Sequence, residues 1–521
     1  LFSAASASIV LLQNARFTIL WDASYVLENA TRIAAGQLPY RDFPFPYAPL
    51  TFVVQAILIL ITGRVWWHHV AYAAIVCGAA TAITFTIVRK LVPRSVAIAL
   101  TAPLVLLGIY CIVPIPFYDP DTCFVILALL ALLLVRGDSL MLGAAFALPL
   151  VIKQNIGIAV AAAAIGLFLI AGRKRSALGV VIGITTLTAV IALVFGIHNY
   201  WRWTIGFAAA RRLPPLAQQL SIYIDRDLWW WLIIVALSLF VRRARWLIAV
   251  PWLWSEWRLF ITDDPLEHEI NFLRLWPLMI VIGITIAIAA WRRERDAMRI
   301  LPLLVIAAIL GAFLSQSTWG STYGIWPLLI ILLALAFRFI EAPLVPAIAI
   351  AVVMLHHAFL YVANSERLTY AKIAEGEMRH SALPSLRGLR MRGEWLPEFE
   401  ELAAFAEHNI PRDDAILSLP GEDLFYFATG RTPRVPVLMF DRTINPYSPR
   451  EIASLAEERK VRWVILKKRL QLNGEPMPEL NETLALLRPR FALVATLRNY
   501  DIYKAGQPAA AHSNSGTATH E

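Results

Sequence analysis

Cysteine and charge are what this sequence has least of. Cys77, Cys111 and Cys123 are the only cysteines in 521 residues, and they lie in or beside apolar runs. They offer no disulfide framework and no metal-type spacing, so they read as packing residues. Charged residues make up 16% of the chain against 58% hydrophobic, with a mean hydropathy of +0.61. There is no Walker A loop, no Rossmann glycine pattern and no G-x-S-x-G elbow, so nucleotide and acyl-transfer chemistry have no motif support. No internal repeat stands out, and no broken apolar segments recur in two halves, which weighs against an inverted-repeat transporter.

What the sequence does contain is apolar runs at near-regular intervals over the first 360 residues. They predict a polytopic α-helical membrane protein with about thirteen spans. The spans fall near residues 1 to 20, 66 to 88, 95 to 113, 122 to 136, 139 to 152, 154 to 172, 176 to 198, 228 to 241, 246 to 261, 273 to 291, 299 to 315, 324 to 338 and 343 to 361. Residues 48 to 63, bounded by Pro49 and Gly63, read as a helix lying in the interface. The first 20 residues lack a basic n-region and a small-residue cleavage site, so they read as a span rather than a secretory signal.

The formal net charge is +10, but the basic residues come in short clusters between apolar runs, which marks cytoplasmic loops rather than a nucleic-acid surface. Arg89, Lys90 and Arg94, then Arg136, Arg173 to Arg175, Arg242, Arg243 and Arg245, and Arg292, Arg293 and Arg295 all fall on one side if the spans alternate. The acids Asp22, Asp42, Asp119 and Asp121 then face outside. Tryptophan clusters such as Trp66/Trp67 and Trp229 to Trp231 suit interfacial belts.

Half of the charged residues sit after residue 361, where helix-like and strand-like periods alternate. This divides the chain into a transmembrane domain, 1 to 361, with a first outer loop at 21 to 65, an extracytoplasmic α/β domain, 362 to 506, and a disordered tail, 507 to 521. Strands are expected at 415 to 420, 437 to 440, 461 to 467 and 491 to 504, and helices at 394 to 410, 450 to 460 and 481 to 488.

Three outer constellations could carry chemistry. Asp22 lies where the first span meets water; on a helix over 22 to 35 it shares a face with Tyr25 and Asn29, with Glu28 further along. The alternative is a helix cap. Tyr118-Asp119-Pro120-Asp121-Thr122 confines two carboxylates to the membrane face, where they could hold a divalent cation, supply a base, or cap the next helix and turn the chain. Lys153, before Gln154 and Asn155, interrupts two apolar runs at the same level and must snorkel or pair with an anion such as a phosphate. His68 and His69 lack ligands at metal spacing, and Arg41 is a further outer cation.

This order of parts, with residues 21 to 50, 118 to 122 and 153 to 155, resembles the GT-C superfamily of polytopic glycosyltransferases, in the branch of the aminoarabinose and dolichyl-phosphate-mannose transferases. The resemblance implies a glycosyltransferase using a polyprenyl-phosphate sugar, with inversion, on the outer face of the plasma (inner) membrane. Asp22 matches the family's catalytic base and Asp121 its second-loop aspartate. Lys153, with Arg41, would meet the donor phosphate. Many members carry a second acid directly after the first, whereas this chain has Ala23, which leaves Asp42 or Glu28 as a co-catalytic or metal-side residue. Tyr25, Tyr40 and Asp119 would support substrate binding. A divalent metal (Mg, Mn or Zn) at Asp22 and Asp121 is the cofactor the family suggests, and a glycan, lipid or protein the acceptor. A transporter or flippase of lipid-linked saccharides is the alternative reading.

Overall fold

The computed structural model describes residues 1–14, 20–213, 215–221, 223–224, 226–261, 275–294, 296–315, 322–340, 342–363, 376–440, 444–470 and 478–506. Its membrane part begins with α1 (Phe2–Asn14), α2 (Leu20–Ala34), α3 (Leu50–Thr62) and α4 (Trp66–Leu91). Then follow α5 (Arg94–Thr101), α6 (Leu104–Leu107), α7 (Tyr118–Leu133), α8 (Leu140–Ala145), α9 (Gln154–Ile170) and α10 (Lys174–Phe195). Three helices among the described residues are long and apolar enough to cross a membrane: Trp66–Leu91, Lys174–Phe195 and Asp296–Phe313. Shorter apolar helices include Gln154–Ile170, Trp326–Phe337 and Leu344–Leu360. Trp326–Phe337 is hydrophobic all round, and every one of its residues is buried, as befits the centre of a bundle.

Small residues let these helices approach closely. A Cβ on Gly78 of α4 would sit 2.8 Å from the Ser3 carbonyl of α1, and the Ser3 hydroxyl donates to the Gly78 carbonyl at 2.7 Å. Backbones can meet this way only where no side chain intervenes.

Several expected spans differ in detail. Residues 95 to 113 are not one helix: α5 stops at Thr101, and α6 is a single turn after Pro103, whose ring cannot follow an unbroken helix. Residues 139 to 152 form the short α8 and a 3-10 turn, Leu148–Val151, around Pro149. The helix expected from 122 begins at Tyr118, which draws both aspartates into its first turn. In the first expected span, α1 covers Phe2–Asn14, and residues 15–19 lie outside the described residues. The tail 507 to 521 also lies outside them.

The C-terminal part is an α/β layer. Strands β1 (Met378–His380) and β2 (Arg390–Arg392) form a small antiparallel pair. Strands β3 (Ala415–Leu419), β4 (Val461–Lys467), β5 (Phe491–Thr496) and β6 (Tyr500–Ala505) form a sheet of order β3-β4-β6-β5, in which only β3 and β4 are parallel. The run 491 to 504 is thus a hairpin rather than one strand. Residues 437 to 440 form no strand: they directly follow Pro436, the Phe440 N–H goes to the Pro420 carbonyl, and the Val435 and Pro436 carbonyls before them are taken by an arginine of α2.

That arginine belongs to the contact joining the two parts. Arg32 is buried and donates to the Pro436 and Val435 carbonyls at 3.0 and 3.2 Å, with its guanidinium 4.1 Å from the Phe43 ring centroid. One turn earlier, Glu28 accepts from the Tyr426 and Phe427 backbone N–H groups, each at 3.1 Å. It thereby caps the helix Phe425–Thr429 from a different segment of the chain. Ser24 lies 2.9 Å from the Asp423 carbonyl and 3.1 Å from that of Gly421. Behind this contact, Lys467 pairs with Glu422 at 2.5 Å and with Asp423 at 2.8 Å, and Trp395 and Tyr500 also donate to Asp423. Burial opposes charge on Lys467, but the two carboxylates hold its ammonium above the ordinary lysine range.

Candidate active site

Lys153 is the residue immediately before α9, with an extended backbone, and its N–H donates to the Pro149 carbonyl at 2.9 Å. Gln154 fixes this corner by donating to the Pro46 and Thr204 carbonyls at 3.0 and 3.1 Å, while Asn155 donates to those of Gly311 and Leu314. The Lys153 ammonium pairs with Asp119 on α7, and both groups are buried. It also lies 5.2 Å from the Tyr118 ring centroid. These residues open on a cavity of about 310 Å³ with polar groups at Tyr47, Tyr118, Lys153, Gln154 and Asn155 and apolar walls that include Ile158 and Leu213. A headgroup-sized anion could meet the ammonium while a hydrocarbon chain follows the wall.

Asp121, two residues on, faces other partners. Thr51 donates to its Oδ2 at 2.7 Å, and Tyr72 and Tyr110 donate to its Oδ1 at 2.8 and 2.5 Å. The carboxylate is buried and satisfied by three hydroxyls, and it is not a helix cap, since Phe117 occupies that position. Asp121 therefore ties α3, α4 and the 104 to 117 connection to α7. No group of three His, Cys, Asp or Glu among the described residues could hold a metal ion. A cation at Asp121 would have to displace hydroxyls that already donate to it, and one at Asp119 would have to displace Lys153, so the surroundings of these two carboxylates do not fit a divalent metal.

Asp22 sits half-buried in the first turn of α2, with Tyr25 one turn further on. From Tyr25 a chain of rings runs to the cavity: Tyr25 to Tyr47 at 4.9 Å, then Tyr47 to Tyr118 at 4.7 Å, beside Lys153. Phe45 and Phe52 pack edge-on at 4.6 Å beneath it. Tyr40 is buried, with φ +67°, and its hydroxyl donates to the Tyr47 carbonyl at 2.6 Å, so it braces the same loop. Arg41 and Asp42 are exposed at its tip, where Asp42 accepts from the Leu38 N–H at 2.6 Å and closes a turn.

The structure thus brings Asp119, Lys153, Tyr118 and Tyr47 together and links Tyr25 to them. It sets Glu28 against the C-terminal domain, and Asp42 and Arg41 on the loop surface. The sequence did not pair Thr51, Tyr72 or Tyr110 with Asp121. The available signal was that Tyr72 and Tyr110 lie inside apolar runs, where a tyrosine hydroxyl needs a partner.

The overall fold resembles that of a solved structure. The crystal structure of ArnT from Cupriavidus metallidurans bound to undecaprenyl phosphate matches with a TM-score of 0.55 over 97% of this chain and 98% of that one, at 11% identity. This chain has the fold of that structure. The oligosaccharyltransferase of Archaeoglobus fulgidus, in a complex with Zn and sulfate, matches with a TM-score of 0.48 at 13% identity, over 90% of this chain and 68% of that one. No family model and no curated protein sequence matches. In this chain, the cavity at Lys153 lies between the start of α9 and the loop that follows α2.

Proposed function

We infer that this chain is an integral-membrane glycosyltransferase that moves a sugar from a polyprenyl-phosphate donor to an acceptor hydroxyl on the outer face of the membrane. The observation that carries this reading is the cavity at Lys153: a buried cation at its polar end, an apolar wall along which an isoprenoid can lie, and a ring path leading to Tyr25, one helical turn from Asp22. The fold agrees with it, since the ArnT structure that shares it is bound to undecaprenyl phosphate.

The acceptor oxygen attacks the anomeric carbon as the bond from that carbon to the phosphate oxygen breaks. Asp22 takes the acceptor proton, and polyprenyl phosphate leaves with its developing charge facing Lys153. A phosphate leaves readily, so the second carboxylate that glycoside hydrolysis requires is dispensable. A single displacement inverts the anomeric configuration. Asp119 holds the Lys153 ammonium at the cavity until the phosphate arrives. Asp121 supports α7 through its three hydroxyl partners, and Tyr25 and Tyr40 position the loop.

The test is a transfer assay on purified protein in nanodiscs with radiolabelled polyprenyl-phosphate sugars and membrane extract. Asp22→Asn should lose about 10²–10⁴-fold in turnover. Near-normal turnover in that variant removes Asp22 from the mechanism.

A further inference from the structure

A second and larger cavity, about 1070 Å³, lies away from the Lys153 site, between the end of α1, the start of α4 and the loop Pro384–Arg390 of the C-terminal domain. Its floor is apolar: Leu12 is 54% exposed and Trp67 43% exposed, although both belong to the membrane part. Its roof is basic: Arg387 and Arg390 are exposed, and neither has an ion-pair partner among the described residues. No carboxylate lines the cavity among the described residues. The roof is seated on the floor by the Trp67 N–H, which donates to the Arg387 carbonyl at 3.2 Å, and by Gly388 at φ +91°, where a Cβ would stand 3.2 Å from Trp67.

We propose that this cavity is a binding site for a net-anionic lipid, one whose headgroup carries a phosphate and no cation, its chains lying on Leu11 and Leu12 and its phosphate beneath Arg387 and Arg390. Exposed leucine at the end of a membrane helix is covered by lipid chains rather than water. Two guanidiniums without a counter-ion, one short loop above that level, are matched by a phosphate, which each can engage through paired N–H donors. Such a lipid bridges the membrane part to the loop Pro384–Arg390 and sets the height of the C-terminal domain above the bilayer. The site does not depend on transfer chemistry or on the Lys153 cavity.

Native mass spectrometry of the full chain, released from phosphatidylcholine nanodiscs that contain either phosphatidylglycerol or polyprenyl phosphate, tests this. Wild type should retain the anionic lipid, and the Arg387→Ala/Arg390→Ala double variant should retain about tenfold less, the loss expected for about 1.4 kcal/mol, with phosphatidylcholine adducts unchanged. Leu12→Asp, which places a carboxylate on the floor, should reproduce that loss with both arginines intact, and Lys153→Ala should leave phosphatidylglycerol retention as in wild type. Retention of phosphatidylglycerol identifies bulk phospholipid as the source; retention of polyprenyl phosphate that survives Lys153→Ala identifies a second carrier lipid. Equal retention by wild type and the double variant, or an equal fall in phosphatidylcholine adducts, would overturn the proposal.

Discussion

Two places in this molecule bury acidic and basic side chains, and they differ in what satisfies them. At the Lys153 cavity, Asp119 and Lys153 meet side chain to side chain with a cavity alongside, so an incoming anion can exchange for the carboxylate. Between α2 and the C-terminal domain, Glu28 and Arg32 spend their hydrogen bonds on backbone groups of another segment, within a closed contact. Burial of an ionisable side chain alone therefore does not mark a site. A site needs a partner that a ligand can replace and space for that ligand.

The comparison can be broken at either end. The largest effect is expected from Lys153→Ala, which should raise the apparent donor KM by about 10–100-fold, the worth of a charge-assisted hydrogen bond, and leave acceptor use nearly unchanged. An unchanged donor KM would remove the phosphate contact. Next comes Arg32→Ala, which leaves the Val435 and Pro436 carbonyls without their donor and should destabilise the protein by about 2–3 kcal/mol in thermal unfolding, with donor KM as in wild type. Loss of donor affinity without loss of stability would reverse the two roles. Asp121→Asn should cost about 1–2 kcal/mol, because an amide nitrogen would face a hydroxyl that now donates.

The smallest effect sharpens the comparison through pH. Burial raises the Glu28 carboxyl from 4.5 to about 8, against the Phe427 and Tyr426 N–H bonds, which lower it. The folded state then holds a proton that the unfolded state releases near 4.5, so this contribution is complete below that pH and is lost as pH rises through about 8. The Tm advantage of wild type over Glu28→Gln should shrink between pH 4.5 and 8. A gap that widens over that range would mean that Glu28 is ionised in the contact.

Periodicity made the long elements legible. Trp66–Leu91, Gln154–Ile170 and Lys174–Phe195 lie close to the expected spans, and β3, β4 and the helices Trp395–Asn409 and Pro449–Glu458 lie close to the expected C-terminal elements. Proline broke the weaker ones, at Pro103 and around Pro433 and Pro436, because local chain stiffness overrides an apolar run. In the candidate site, Asp119 and Lys153 were visible as ionisable residues at the end of apolar runs. Their pairing was not, since it joins residues 34 apart, and neither were the Tyr72 and Tyr110 contacts with Asp121. Glu28 was visible as an acid on the face of a helix, but its capping of a helix nearly 400 residues away has no local signature.

The central claim is that Asp22 and Lys153 act on different parts of one lipid-linked donor. Initial rates over a donor concentration series, for wild type, Asp22→Asn and Lys153→Ala under identical nanodisc conditions, test it most directly. The account predicts that Asp22→Asn lowers kcat with donor KM unchanged, and that Lys153→Ala raises donor KM. Equal, parallel changes in both variants, or turnover that neither variant alters, would contradict it.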